Sequence, residues 1–243
     1  MPASAGKKVL LSSVCQPFGK KYGDSDGVSA EGSHQIMWAQ GIFRARATTT
    51  QWGIDFIAQN LETPTVCLHY PTMKQFIAEI RKGYDYIGIA FVASTHHKML
   101  PMVRAIRAHA PGSKIVLGGY GTALGDEKLA PYADHICHGE GVAFMRELLG
   151  EPPITSFVQP EITQRQSMFS VPLLGQTGYI FAGLGCPNGC DFCATSHYFK
   201  RRHIRLLPDG AAIVGAIKDL RRKHPDMTDF WINDEDFLLN EAR

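Results

Sequence analysis

Through the first 150 residues, short β-branched runs alternate with amphipathic runs. Five runs read as strands: 8–14 (KVLLSSV), 64–69 (PTVCLH), 85–92 (DYIGIAFV), 114–118 (KIVLG) and 134–137 (DHIC). Helical patterns fill the gaps. Over 72–82, Phe76, Ile77 and Ile80 share one face, and Thr72 with Gln75 makes a capping box. Over 97–109 the apolar positions are Met99, Leu100, Met102, Val103 and Ile106, with Pro101 expected in the first turn, where a missing N–H is tolerated. A further helix is predicted over about 141–149. Strands alternating with helices predict a parallel sheet covered on both faces and joined by right-handed crossovers, a doubly wound Rossmann-like α/β domain over 1–150.

Ligands on such sheets bind beyond the carboxyl ends of the strands. Here those ends carry Cys15-Gln16-Pro17, Ser94-Thr95-His96-His97, Gly118-Gly119-Tyr120-Gly121 and Gly139-Glu140-Gly141. The stretch 15–50, in part rich in Gly and Ser, reads as an elaborated loop over the same edge. Residues 151–178 change character. Pro152, Pro153, Pro160 and Pro172 punctuate a stretch with little periodicity, which predicts an interdomain linker. Beyond it come a strand at 179–182, a cysteine loop and a basic segment. A helix at about 209–223 then presents Ile213, Val214, Ile217 and Leu220 on one face, and a strand at 229–233 leads into Asp234-Glu235-Asp236.

Composition narrows the class. The 243 residues are 44% hydrophobic and 20% charged, which suits a folded core rather than a disordered chain. A net charge of +2 advertises neither a nucleic acid nor a membrane surface as partner. The apolar runs fall far short of the ~20 residues that span a bilayer. Lys7-Lys8 before Val9-Leu10-Leu11 faintly resembles a secretory signal, but Ser12-Ser13 breaks the run, so a buried strand is expected there. Of six cysteines, three crowd between Cys186 and Cys193, while Cys15, Cys67 and Cys137 lie apart in apolar segments. That usage predicts a reducing, cytoplasmic setting with one metal site.

The site is Cys186-Pro187-Asn188-Gly189-Cys190-Asp191-Phe192-Cys193. Thiolates suit iron–sulfur clusters and zinc above other metals. Three of them on a four-iron core leave one iron open for a small molecule, and Pro187 and Gly189 allow a tight reversal. His197 keeps an alternative open, a closed Cys3His zinc site.

The motif resembles the cluster loop of radical S-adenosylmethionine (SAM) enzymes. In that family the open iron chelates the amino and carboxylate groups of SAM, and one-electron reduction cleaves SAM to a 5′-deoxyadenosyl radical. The resemblance implies that Cys186, Cys190 and Cys193 hold a 4Fe-4S cluster and that Phe192 packs near the adenine. It also implies that Asp234 and Asp236, at the end of the second barrel strand, accept hydrogen bonds from the SAM amino group. Upstream, the βα units resemble the cobalamin-binding domain at the N-terminus of many radical SAM enzymes, with Gly118, Gly119, Gly121, Gly139, Glu140 and Gly141 beneath the corrin and Ser94 and Thr95 at its edge. The usual Asp-x-His-x-x-Gly is absent, and His34 reads as a surface residue, so cobalamin is expected without a lower axial histidine. The family's arginine before the glycine that precedes the first cluster cysteine is Leu184 here.

The basic run Lys200, Arg201, Arg202, His203 and Arg205 reads as a solvated face. Residues 179–243 hold about two βα units at ~30 residues each, which implies a truncated radical SAM partial barrel. The implied protein is the N-terminal part of a cobalamin-dependent radical SAM enzyme, most commonly a methyltransferase acting on an unactivated carbon. Its expected partners are a small-molecule or peptide substrate and a reductant such as flavodoxin or ferredoxin. Alternatives are a corrinoid-binding module with a non-functional catalytic remnant, or a zinc-stabilised domain binding nucleic acid through the basic run.

Overall fold

In the computed structural model, residues 6–15, 46–47, 51–161, 163–164, 166–168, 171–172 and 176–239 are described. The chain divides into two compact units, Met1–Ala39 with Thr49–Pro153, and Gln40–Thr48 with Ile154–Arg243.

In the first unit, β1 (Val9–Ser13), β2 (Thr65–Leu68), β3 (Tyr86–Ala90), β4 (Lys114–Gly118) and β5 (His135–Ile136) form one five-stranded sheet in the order β2-β1-β3-β4-β5. Every pairing is parallel, with Val9 beside Thr65 on one side and Tyr86 on the other. The order reverses between β1 and β3, which creates a topological switch point at the carboxyl edge. Among the described residues, four helices of eight or more residues cover the sheet: α1 (Trp52–Gln59), α2 (Met73–Ile80), α3 (His96–His109) and α4 (Gly141–Leu149).

Alternation along each strand sends neighbouring side chains to opposite faces. Leu10, Ile87, Ile89, Ile115 and Leu117 pack with Phe76, Ile80, Met99, Met102 and Ile106 of α2 and α3. Val9, Leu11 and Val116 pack with Ile54, Met145 and Leu149 of α1 and α4 on the other face. Both faces are thus covered and the unit is an α/β fold of Rossmann-like type.

The five strands lie where the apolar runs place them, and the Thr72–Gln75 capping box forms. Helix α1 is additional. It is eight residues long, opens at Gln51 without a capping side chain and contains Gly53, so it carries no start signal. Helix α3 begins at His96, which moves Pro101 out of the first turn and into the helix. The N–H that Pro101 lacks is the one that would have reached the His97 carbonyl.

In the second unit, β6 (Gln176–Phe181) pairs in parallel with β7 (Met227–Asn233) and antiparallel with Thr163–Gln164. A helix over Gly210–Lys223, α6 in chain order after the short α5 (Ala194–Tyr198), connects the two parallel strands. Ile180, Ala182, Ile213, Leu220 and Met227 form its core. Val214, expected on the apolar face, is 48% exposed. Past the end of the Thr163–Gln164 pairing, the Gln159 side chain stands in for a missing strand. Its amide nitrogen donates to the Phe181 carbonyl at 2.8 Å, and the Phe181 N–H donates to its oxygen at 2.9 Å.

The stretch 151–178 is not a plain linker. Thr163–Gln164, Gln166–Met168 and Val171–Pro172 are short strands, and β6 begins at Gln176, not at 179. Gln166–Met168 pairs with Arg46–Ala47, far away in sequence. Pairings of two or three residues are too short to leave a periodicity. The described residues of this unit show two parallel strands and one crossover helix, without a barrel. Among the described residues no helix is long and apolar enough to cross a membrane.

Candidate functional site: a three-cysteine loop

The cysteine loop runs from the two-residue strand Gly183–Leu184, paired antiparallel with Ile204–Arg205, to Cys193, the N-cap residue of α5. Two glycines shape it. Gly185 has φ +78 and Gly189 φ +71, the left-handed region that side chains avoid. A Cβ on Gly185 would overlap the Arg202 carbonyl oxygen and the Phe199 side chain, and one on Gly189 would stand 2.6 Å from Arg201 Nε. Ser196 of α5 then staples the loop: its buried hydroxyl accepts from the Gly189 N–H at 2.8 Å and donates to the Cys186 carbonyl at 2.7 Å. The Cys193 N–H closes a turn onto the Cys190 carbonyl at 2.9 Å.

The acidic turn after β7 grips the same loop. Glu235 Oε2 accepts from the Gly185 N–H at 3.0 Å. Asp236 Oδ2 accepts from Asn188 Nδ2 at 3.0 Å and lies 3.7 Å from Cys186 Sγ. Asp234 faces inward: its side chain is fully buried, pairs with His203 Nε2 at 2.9 Å and accepts from the Asp236 N–H at 3.0 Å. Gly183 is a glycine because a Cβ there would collide with both partners of that pair. Desolvation raises the Glu235 carboxyl above its ordinary range, with the Asp234 charge adding to it and the Gly185 N–H opposing. Next to this turn Asn233 Nδ2 is buried without a hydrogen-bond partner among the described residues, which costs free energy unless water or a ligand satisfies it.

All three loop thiols are free. Cys186 is buried, Cys193 half-buried and Cys190 exposed. The other three cysteines lie in the first unit. Burial pushes the thiols of Cys15, Cys67 and Cys137 up to about 12, the Asp55 charge adding to it at Cys67 and the Glu140 charge at Cys137, while Lys98 partly offsets it at Cys15. Such thiols stay protonated and inert at neutral pH.

The residues expected around SAM are placed unevenly. Phe192 is 92% exposed. Asp236 stands against the loop, whereas Asp234 is enclosed by His203. The basic run is not one solvated face either, since His203 turns inward to Asp234 while Lys200 and Arg201 take left-handed backbone conformations. His197 is exposed and its Nε2 lies 3.2 Å from the Cys190 carbonyl oxygen. Among the described residues no three His, Cys, Asp or Glu side chains are gathered as a metal ion needs them.

At the carboxyl edge of the first unit, several residues expected under a corrin have internal duties. Thr95 is buried and its hydroxyl bonds Val92 within its own turn. Gly119 (φ +85) and Gly121 lie against Phe91, and Gly141 lies against Ile57, with no room for a Cβ. Glu140 caps α4 by accepting from the Val142 and Ala143 N–H groups, and desolvation still raises its carboxyl. Ser94 is exposed, Gly118 is in ordinary contact with Cys137 and Gly139 (φ +92) faces open space. His34 lies outside the described residues. Gly121→Ala is expected to destabilise the first unit by about 1–3 kcal/mol, since its Cβ would enter the Phe91 ring. An unchanged denaturant midpoint would show that Phe91 moves freely.

Ser196, Glu235 and Gly185 escaped the sequence reading. Each acts by gripping the loop rather than by the chemistry of its side chain, and only the glycine before the first cysteine left a signal. No protein-family model matches the chain, and no curated protein shows significant similarity to it.

Proposed function

We propose that Cys186, Cys190 and Cys193 hold a 4Fe-4S cluster of the radical SAM kind, and that the protein works in cobalamin-dependent radical chemistry, with methyl transfer to an unactivated carbon as the reaction class. The observation that carries this reading is the loop itself: three free thiols at C-x3-C-x2-C spacing, bent by two left-handed glycines and clamped at the carboxyl end of a parallel strand pair. The donor set fits an iron–sulfur core, and Asn233 Nδ2, without a partner among the described residues, is a donor left over for a ligand. Metal uptake would order the loop around the three sulfurs, because metal binding and local ordering are coupled.

A cluster held by these three thiols would supply the electron for SAM cleavage and would leave one iron without a protein ligand. The chain's own residues hold and orient. The three thiolates ligate, Gly185 and Gly189 permit the bend, and Ser196 and Glu235 fix the backbone on either side of Cys186. Phe192, on the exposed side of the loop, offers an apolar surface to an adenine. Cobalamin is proposed for the first unit on its β2-β1-β3-β4-β5 order, because ligands of such sheets bind outside the carboxyl edge at the switch point. Ser94, Gly118 and Gly139 are the expected residues left open there.

Anaerobic reconstitution with iron and sulfide is expected to give a brown protein with broad visible absorbance. Cys186→Ala, Cys190→Ala and Cys193→Ala are each expected to lose most of the iron. Stoichiometric zinc without iron, under reducing and iron-rich conditions, would overturn the cluster reading and favour the Cys3His alternative. In a second arm, cobalamin retained through gel filtration supports the proposal for the first unit, and its complete loss removes that part.

A further inference from the structure

Resting on the cluster reading above, we infer that Asp236 is a tuning residue of the three-cysteine site: its carboxylate pins the loop through Asn188 and sets a negative charge against Cys186. One oxygen serves both ends of this arrangement. Asp236 Oδ2 accepts from Asn188 Nδ2 at 3.0 Å and lies 3.7 Å from Cys186 Sγ. Cys186 is the most buried of the three loop thiols, so a charge beside it is screened least by water.

The position of Asp236 is set from within the fold. Its main-chain N–H is held by Asp234 Oδ1 at 3.0 Å. Asp234 is itself paired with His203, with side chains 0% and 10% exposed, in a space that any side chain at position 183 would invade. Residue 236 is therefore carried to the loop by a buried chain of contacts, not by the wandering of a surface side chain. The next residue back, Glu235, holds Gly185 N–H on the other flank of Cys186.

Two effects follow, and they are separable. Partners outside the ligand set orient the ligands and hold the metal. The Asn188–Asp236 hydrogen bond does this for the first half of the loop. A negative charge next to an iron–sulfur core also opposes adding an electron to it, which lowers the reduction potential. A low potential suits a cluster that must pass its electron to a sulfonium.

The test uses the whole chain reconstituted with iron and sulfide. Iron loss to a chelator is measured together with the potential from an electron paramagnetic resonance redox titration. Asp236→Asn keeps an oxygen for Asn188 but removes the charge, so it is expected to retain iron as the wild type does, at a more positive potential. Asn188→Ala keeps the charge and loses the pin, so iron is expected to leave about 10-fold faster at an unchanged potential. Asp236→Ala combines both effects. If Asp236→Asn leaves the potential where it was, or if Asn188→Ala retains iron like the wild type, the inference is wrong. A wild-type chain that takes up no iron sinks instead the cluster reading beneath it.

Discussion

Replacing Arg146 with alanine is expected to destabilise the first unit by about 3–5 kcal/mol, because it leaves a buried carboxylate without its counter-charge. Arg146 and Glu151 have side chains only 5% and 3% exposed and lie 3.1 Å apart. The guanidinium also donates to the Asn60 carbonyl at 2.8 Å, to the Pro152 carbonyl at 2.5 Å and to Glu62 at 2.8 Å. Glu151 accepts from the N–H groups of Glu62 and Thr63 and from the Thr63 hydroxyl, at 2.9, 2.8 and 2.6 Å. This network ties the end of α4 to the turn between α1 and β2.

Burial alone would raise the Glu151 carboxyl, but the hydrogen bonds from Thr63 and the backbone, with the Arg146 charge, outweigh it and hold it below its ordinary value of 4.5. A carboxyl lowered in the folded state contributes stability above the unfolded value and loses it as pH falls through the folded one. Stability should therefore decline from about pH 4.5 downward, and Glu151→Gln should flatten that part of the profile. Denaturation across pH 3–7 measures both effects. An Arg146→Ala variant within ~1 kcal/mol of wild type would mean that water enters and solvates Glu151.

The second large effect belongs to the cysteine loop. Under the cluster proposal, Gly185→Ala is expected to weaken iron retention about 10-fold or more while leaving the first unit intact. Two causes act together. The left-handed backbone at φ +78 costs a non-glycine residue ~1–2 kcal/mol. The added Cβ would also overlap the Arg202 carbonyl and displace the segment that presents its N–H to Glu235. Iron content after gel filtration reads the loop, and the denaturation profile of the first unit is the internal control. Wild-type iron retention in Gly185→Ala would show that the loop shifts without harm to the thiols.

The contrast between Gly185 and Asp234 shows how far a sequence reaches into a site. Gly185 adjoins the motif in the sequence, and Asp234 follows it at a distance. A glycine there signals a bend, but the atoms that forbid a side chain belong to Phe199 and Arg202, brought back by the short strand Ile204–Arg205. In the acidic triplet the resemblance singles out Asp234 and Asp236, yet the turn after β7 points each carboxylate differently: Asp234 inward to His203, Glu235 to the Gly185 N–H and Asp236 to Asn188 and Cys186. Charge and spacing are the same for all three, and only the backbone path separates them. The glycines of the first unit make a similar point. Their clustering at strand ends is plain in the sequence, but Gly119 and Gly121 owe it to the close passage of Phe91.

The sequence by itself determined the strands and most helices of the first unit, because the burial of each one is written locally as an apolar run or a 3.6-residue period. It determined the three loop thiols as well, because their spacing is local. The tertiary structure alone decided the order β2-β1-β3-β4-β5, the two- and three-residue pairings within 151–178, and the grip of the 234–236 turn on the cysteine loop. The strand order, the pairing of Gln166–Met168 with Arg46–Ala47 and the 234–236 grip depend on contacts between residues tens of positions apart, for which a local pattern carries no signal, while the Gln166–Met168 pairing with Val171–Pro172 is too short to leave one.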